Sequence, residues 1–132
     1  MAKRKTRSAG KNDARPYLAK AEEFLSTMEQ ALREKKWDSA GLQAVHSVIS
    51  ASDALLAFYG GVRSAEPDHR QVAGLLQDTL GKEATPAIRN VSRVIAKKNV
   101  VEYEKRRLTE KEAKAMAEHT RRFFKWAAEM LP

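Results

Sequence analysis

The stretch GGVRSAEPDHRQ, Gly60 to Gln71, sets Arg63 and His69 apart by five intervening residues. Together these two residue types can cleave an RNA phosphodiester without a metal. Such cleavage needs a base for the 2′-hydroxyl and an acid for the leaving oxygen, and a cation for the charge that grows on the phosphorane. Histidine suits the two proton transfers because its ordinary pKa lies near neutrality. Arginine suits the third role, because its planar fork grips two phosphate oxygens at once. The alternative is structural. Gly60 and Gly61 would stop one helix, and Arg63 would bond the carbonyls at its end. Pro67, Asp68 and His69 would then open the next helix, with Glu66 or Asp68 favouring its positive end.

Three further groups of residues carry chemistry. His46, Ser50 and Asp53 in HSVISASD fall on one stripe of a helix. A nucleophilic triad needs side chains that converge, and a helix stripe separates them by whole turns. The stripe therefore predicts an internally satisfied polar network between helices, or a polar wall of a nucleotide pocket. Asn99 and Tyr103 stand among Lys97, Lys98, Lys105, Arg106 and Arg107. An aromatic among cations can stack a base while the cations hold phosphate. The plainer expectation is that Tyr103 packs between helices. His119 stands beside Arg121 and Arg122 and has no acidic or histidine partner at metal-ligand spacing, so no metal site and no cofactor are expected. Trp37 and Trp126 read as core or interface anchors.

Five helical segments must position these groups, and nothing reads as a strand. The first runs from about Arg15 to Glu34, with Tyr17, Ala21, Phe24, Leu25, Met28 and Leu32 on one face. The second runs from about Asp38 to Tyr59, with Asp38 as its cap and Trp37 stapled onto Leu42. Its apolar face is wide, which predicts a central helix contacted from several sides. The third runs from about Pro67 to Leu80 and stops at Gly81. The fourth opens at TPAI, with Thr85 as its cap and Pro86 at the first helical position, and fades near Lys98 or Asn99. The last begins with a capping box made by Thr109 and Glu112, and Met116, Thr120, Phe123 and Ala127 line its inner side. The expectation is an all-α, five-helix up-and-down bundle over residues 15–132, with short connections and sequential helices mostly antiparallel.

Composition narrows the function classes. The 132 residues fit one domain. No cysteine is present, which excludes disulfides, thiolate metal sites and a cysteine nucleophile. No apolar run approaches a membrane span or a signal-peptide core, so no membrane association and a cytoplasmic setting are expected. The formal net charge is +8 and is unevenly placed. Residues 1–15 hold six basic groups against Asp13 alone, and the other 117 residues hold nineteen basic and sixteen acidic groups. Residues 1–14 lack apolar periodicity and are expected as a disordered basic arm. A polyanion fits the arm and the cation-rich stretch 82–107, and a solubilising tail with a solvated helix face fits them too.

The order of these segments resembles the HEPN domain family of small helical bundles. The first half of the resemblance lies in YLAKAEEFLSTMEQALREKKWDSAGLQAVHSVISASDALLAFYG, followed by GGVRSAEPDH. The second half lies in KNVVEYEKRRLTEKEAKAMAEHTRRFFKWAAEML. The resemblance covers about Arg15 to Leu131. It implies a helical bundle, often a homodimer, with the dimer cleft as the functional place. Many members are metal-independent ribonucleases carrying Arg, four to six residues, then His, and Arg63-Ser-Ala-Glu-Pro-Asp-His69 matches that spacing. In a two-fold dimer two such pairs would meet, giving one histidine for each proton transfer. Other members lack activity and bind nucleotides, or serve as partners of nucleotidyltransferase proteins. Two readings follow: recognition of RNA or a nucleotide, with cleavage by Arg63 and His69 as its extension, and an inactive module that binds a protein partner.

Overall fold

The computed structural model describes residues 6–65 and 71–132. The described chain is an all-α bundle with one small two-stranded sheet. Its elements are β1 (Thr6–Ser8), α1 (Ala14–Arg33), α2 (Trp37–Gly60), β2 (Val62–Ser64), α3 (Val72–Leu80), α4 (Thr85–Ile95), α5 (Lys98–Glu102) and α6 (Glu110–Met130). The expected start of the third helix at Pro67 lies outside the described residues, as does His69.

α2 is the centre of the bundle, as its wide apolar face predicts. Every residue from Ala51 to Ala57 is buried, together with Ala40, Gly41, Ala44, Val45, Ser47, Val48 and Ile49. Small residues let neighbours approach on several sides. At Gly41 an added Cβ would stand 2.3 Å from Leu108 Cδ1 and 3.1 Å from Val101 Cγ2. α1 buries Ala21, Met28 and Ala31 against α2. The two are tied at mid-length by the Ser47 hydroxyl, which donates to the Ala21 carbonyl at 2.9 Å. Phe24 meets His46 one turn along, with ring centroids 5.3 Å apart. These pairings run in opposite chain directions, so α1 and α2 form an antiparallel hairpin.

α4 and α6 form a second antiparallel pair. His119 reaches Asn90 at one level and Glu112 reaches Lys97 at another, so one helix descends as the other climbs. α6 instead lies parallel to α2, because both pairs of ends coincide. Asp38 at the start of α2 holds Arg107 and Leu108 just before α6, and the Tyr59 hydroxyl at the end of α2 donates to the Met130 carbonyl. Phe123 is fully buried, and Trp37 and Trp126 pack partly buried against the core.

The termini of the helices follow local chemistry with two corrections. The Thr109–Glu112 capping box forms as expected, with the Glu112 amide donating to Thr109 Oγ1 at 3.1 Å and the Thr109 amide donating to Glu112 Oε1 at 2.9 Å. Asp38 is not a cap. α2 starts one residue earlier, and the Asp38 carboxylate instead accepts from Arg107 Nε at 3.1 Å and the Leu108 amide at 2.8 Å. The basic end of α1 closes through Lys35, whose φ of 58° is in the left-handed region that favours glycine.

The second correction concerns the arm. Thr6–Ser8 pairs antiparallel with Val62–Ser64, and residues 11–13 make a 3₁₀ turn, so residues 6–14 are not a disordered tail. The strand forms because β2 offers it an edge, and the Ala9 amide continues the pairing to the Gly61 carbonyl at 2.9 Å. The turn is fixed by the Gly10 amide on Asp13 Oδ2 at 2.8 Å.

Candidate functional site

The strand carrying Arg63 is placed by the end of α2. The helix closes at Gly60, and Gly61 takes a φ of 64°, which a side chain would strain. The chain then reverses into β2. Arg63 is half-buried there, with Arg7 of β1 directly opposite it. Beneath the strand sits Asp53 of α2, only 7 % exposed.

Asp53 is the unusual group of this region. Its carboxylate accepts from the Ser64 backbone amide and lies in the field of Arg63. Among the described residues, its buried Oδ1 has no hydrogen-bond partner. Burial pushes its pKa up from 3.8 to about 6, and the Ser64 amide and Arg63 only partly oppose that. A buried carboxylate therefore lies under the candidate arginine, ionised above about pH 6 and neutral below. This Asp53–Arg63 relation was not readable from the chain, because the nine residues between them pass through a helix end and a reversal.

The three residues of the polar stripe of α2 go to different surroundings. His46 packs on the Phe24 ring, and Ser50 is half-buried. Asp53 faces β2, with one oxygen unpartnered among the described residues. The buried hydroxyls of α2 belong to Ser47 and Ser52, which bond backbone carbonyls.

The cation-rich stretch before α6 is largely tied into carboxylates. Glu112 takes both Arg106 terminal nitrogens at 2.8 Å and Lys97 Nζ at 2.9 Å. These cations and the Thr109 amide hold its carboxyl far below the usual range. Lys98 is buried on Glu102 at 2.6 Å, with its ammonium 5.4 Å from the Tyr103 ring centre. Arg107 pairs with Asp38. Asn99 is exposed, and its carbonyl accepts the Tyr103 and Glu104 amides. Tyr103 is 73 % exposed, so the expectation that it packs between helices fails. The short helix α5 turns its ring outward.

His119 lines a cavity of about 370 Å³ between α4 and α6, with Arg93, Lys97, Lys111 and Met116. Its Nδ1 lies 2.9 Å from Asn90 Oδ1. Burial, then Arg93 and Arg122, lower its pKa from 6.5. Among the described residues no three of His, Asp and Glu converge to hold a metal. None of the described helices is long and apolar enough to cross a membrane.

Residues 14–131 match the HEPN domain family, and the chain belongs to it. No curated protein and no solved structure matches the chain.

Proposed function

We propose that this HEPN domain recognises RNA or a nucleotide at the strand that follows α2, with Arg63 as the residue that grips phosphate. The observation that supports this reading is the setting of Arg63. It stands on a paired strand, over a buried carboxylate that also takes the next backbone amide. The strand pairing fixes the backbone that presents Arg63, so less of the chain has to be ordered when it takes an anion. In the catalytic form of the reading, a homodimer brings two Arg63/His69 pairs into one cleft. One histidine removes the proton of the 2′-hydroxyl, and that oxygen attacks phosphorus. The other histidine protonates the departing 5′-oxygen, and Arg63 balances the phosphorane charge. No metal or cofactor takes part in this scheme. Lys97, Lys98, Asn99, Tyr103, Arg106 and Arg107 form a secondary contact region, in which a polyanion competes with carboxylates for the exposed cations.

The test uses labelled single-stranded RNA with a chelator present. Binding that collapses with salt, and cleavage lost in Arg63→Ala and His69→Ala, are expected. Equal cleavage by the double variant refutes the ribonuclease form. Failure to bind either RNA or nucleotides refutes the reading itself.

One observation favours the second reading, an inactive module that binds a protein such as a nucleotidyltransferase. Glu112, Glu102 and Asp38 neutralise the cations around the exposed Tyr103. A charge-balanced surface with an outward tyrosine suits a protein contact. Indifference to heparin together with stoichiometric co-purification of a protein would establish it.

A further inference from the structure

The register of the small sheet puts Arg7 directly opposite Arg63. Residues directly opposed in an antiparallel pair point to the same face, with Cβ atoms about 5 Å apart. Like charges in that position repel each other, so two opposed arginines are an unfavourable pair in the free protein. Among the described residues, the surrounding charges relieve this only on the Arg63 side. Arg7 is exposed and has no carboxylate partner among the described residues. Asp53 lies under Arg63 alone and is already engaged by the Ser64 amide. Asp13, the acid nearest in the arm, accepts from the Gly10 amide.

The arm is nevertheless held in place against this repulsion. The Ala9 amide bonds the Gly61 carbonyl at 2.9 Å, and Lys11 Nζ sits 5.0 Å from the centre of the Phe58 ring. A segment docked so that one arginine stands opposite another on the same face is suited to an anion that both can share. Two planar forks on one face offer up to four N–H groups to a tetrahedral oxyanion.

We propose that Arg7 and Arg63 form a two-arginine clamp for one phosphate group, so that the arm strand β1 is part of the ligand site. This rests on the reading of Arg63 as a phosphate ligand and extends it to a residue of the arm. Arg7 is a binding residue here, and β1 is the element that presents it. The shared chemistry is a phosphate ester, supplied either by an RNA backbone or by a free nucleotide.

The experiment measures binding of a fluorescein-labelled 20-nucleotide oligouridine, across a salt series, to the full chain and to five variants: Arg7→Ala, Arg7→Lys, Arg63→Ala, the double alanine variant and Lys125→Ala. Lys125→Ala removes one exposed charge from α6 as a control. Circular dichroism and thermal melts confirm that each variant folds. The clamp predicts about a ten-fold loss in Arg7→Ala and a salt slope shallower by about one. It predicts a similar loss in Arg63→Ala, and a double variant weaker by clearly less than the product of the two losses, because the arginines share one anion. Arg7→Lys recovers only part of the affinity, and Lys125→Ala changes it less than about two-fold. Competition by adenosine monophosphate that is lost in Arg7→Ala assigns the clamp to a free nucleotide. Competition by unlabelled oligouridine alone assigns it to RNA. If Arg7→Ala binds like the parent while Arg63→Ala does not, the clamp is wrong and the role of Arg63 stands. If neither variant changes binding, the role of Arg63 falls with it.

Discussion

Replacing Asp53 by asparagine should make the protein more stable at neutral pH, and the size of the gain follows from the burial of one carboxylate. The ordinary Asp value of 3.8 rises to about 6 in the folded chain, because burial penalises the charge more than the Ser64 amide and Arg63 favour it. Between these two values the folded state holds more proton than the unfolded state. Stability contributed by this group therefore falls as pH rises from about 4 to about 6, and the full penalty is present above that. The span is worth about 3 kcal/mol, at ~1.36 kcal/mol per pH unit. Asparagine carries no charge at any pH and can still accept from the Ser64 amide. Its NH₂ then occupies a buried position without an obvious acceptor, which costs about 1–2 kcal/mol independently of pH. The net expectation at pH 7.5 is a gain of about 1–2 kcal/mol. The more discriminating quantity is the difference between variant and parent, which should grow by about 2.5 kcal/mol from pH 4 to pH 7.5. Urea unfolding at four pH values reads it directly. An asparagine variant less stable than the parent at pH 7.5, or a difference that does not change with pH, would refute the reasoning.

Three other outcomes follow from particular contacts. Gly41→Ala should lose about 1–2 kcal/mol: its Cβ would strike the buried Leu108 side chain at 2.3 Å, and the better helix propensity of alanine offsets only part of the overpacking. A thermal melt measures the loss. Lys35→Gly should gain about 0.5–1 kcal/mol because it relieves a φ of 58°, whereas Lys35→Ala should not, and paired melts separate the two. Glu112→Gln should destabilise above pH 5 by about 1–2 kcal/mol, since Lys97 and Arg106 lose their shared anion. The Glu112 carboxyl is held below its usual range, so its contribution is fully present above pH 4.5 and is lost as pH falls further. The difference from the glutamine variant should therefore close in acid, and the freed cations should delay elution from heparin at pH 7.

How far the chain could be read in advance depends on whether a feature is local. The capping box of Thr109 and Glu112 involves residues three apart, and it forms as the pattern predicts. The central place of α2 follows from its own small and apolar residues. The opening of α4 at Thr85 was also legible, although the Thr85 hydroxyl turns to Gln77 rather than capping the helix. Features that depend on distant partners were not legible. Asp38 looked like a cap and is claimed by Arg107 and Leu108, some seventy residues on. The strand Thr6–Ser8 is three polar residues with no alternating pattern, and it exists because the edge of β2 receives it. Asp53 and Arg63 were each singled out for other reasons. Their relation depends on how the chain reverses after Gly61, and no pattern of spacing encodes that.

The arm changes meaning under the same argument. As a tail, residues 1–14 would add charge without position. As a docked strand and turn, residues 6–14 bring Arg7 to the face of Arg63 and Lys11 to the end of α2. Affinity for polyanions should then depend on the fold, and should be lost on unfolding more completely than net charge alone implies.

The central claim is that Arg63 holds phosphate, and the salt dependence of oligouridine binding to the parent and to Arg63→Ala tests it most directly. The account predicts affinity about ten-fold weaker in the variant, with a shallower dependence on salt. Identical affinity and identical slope in the two proteins would contradict it.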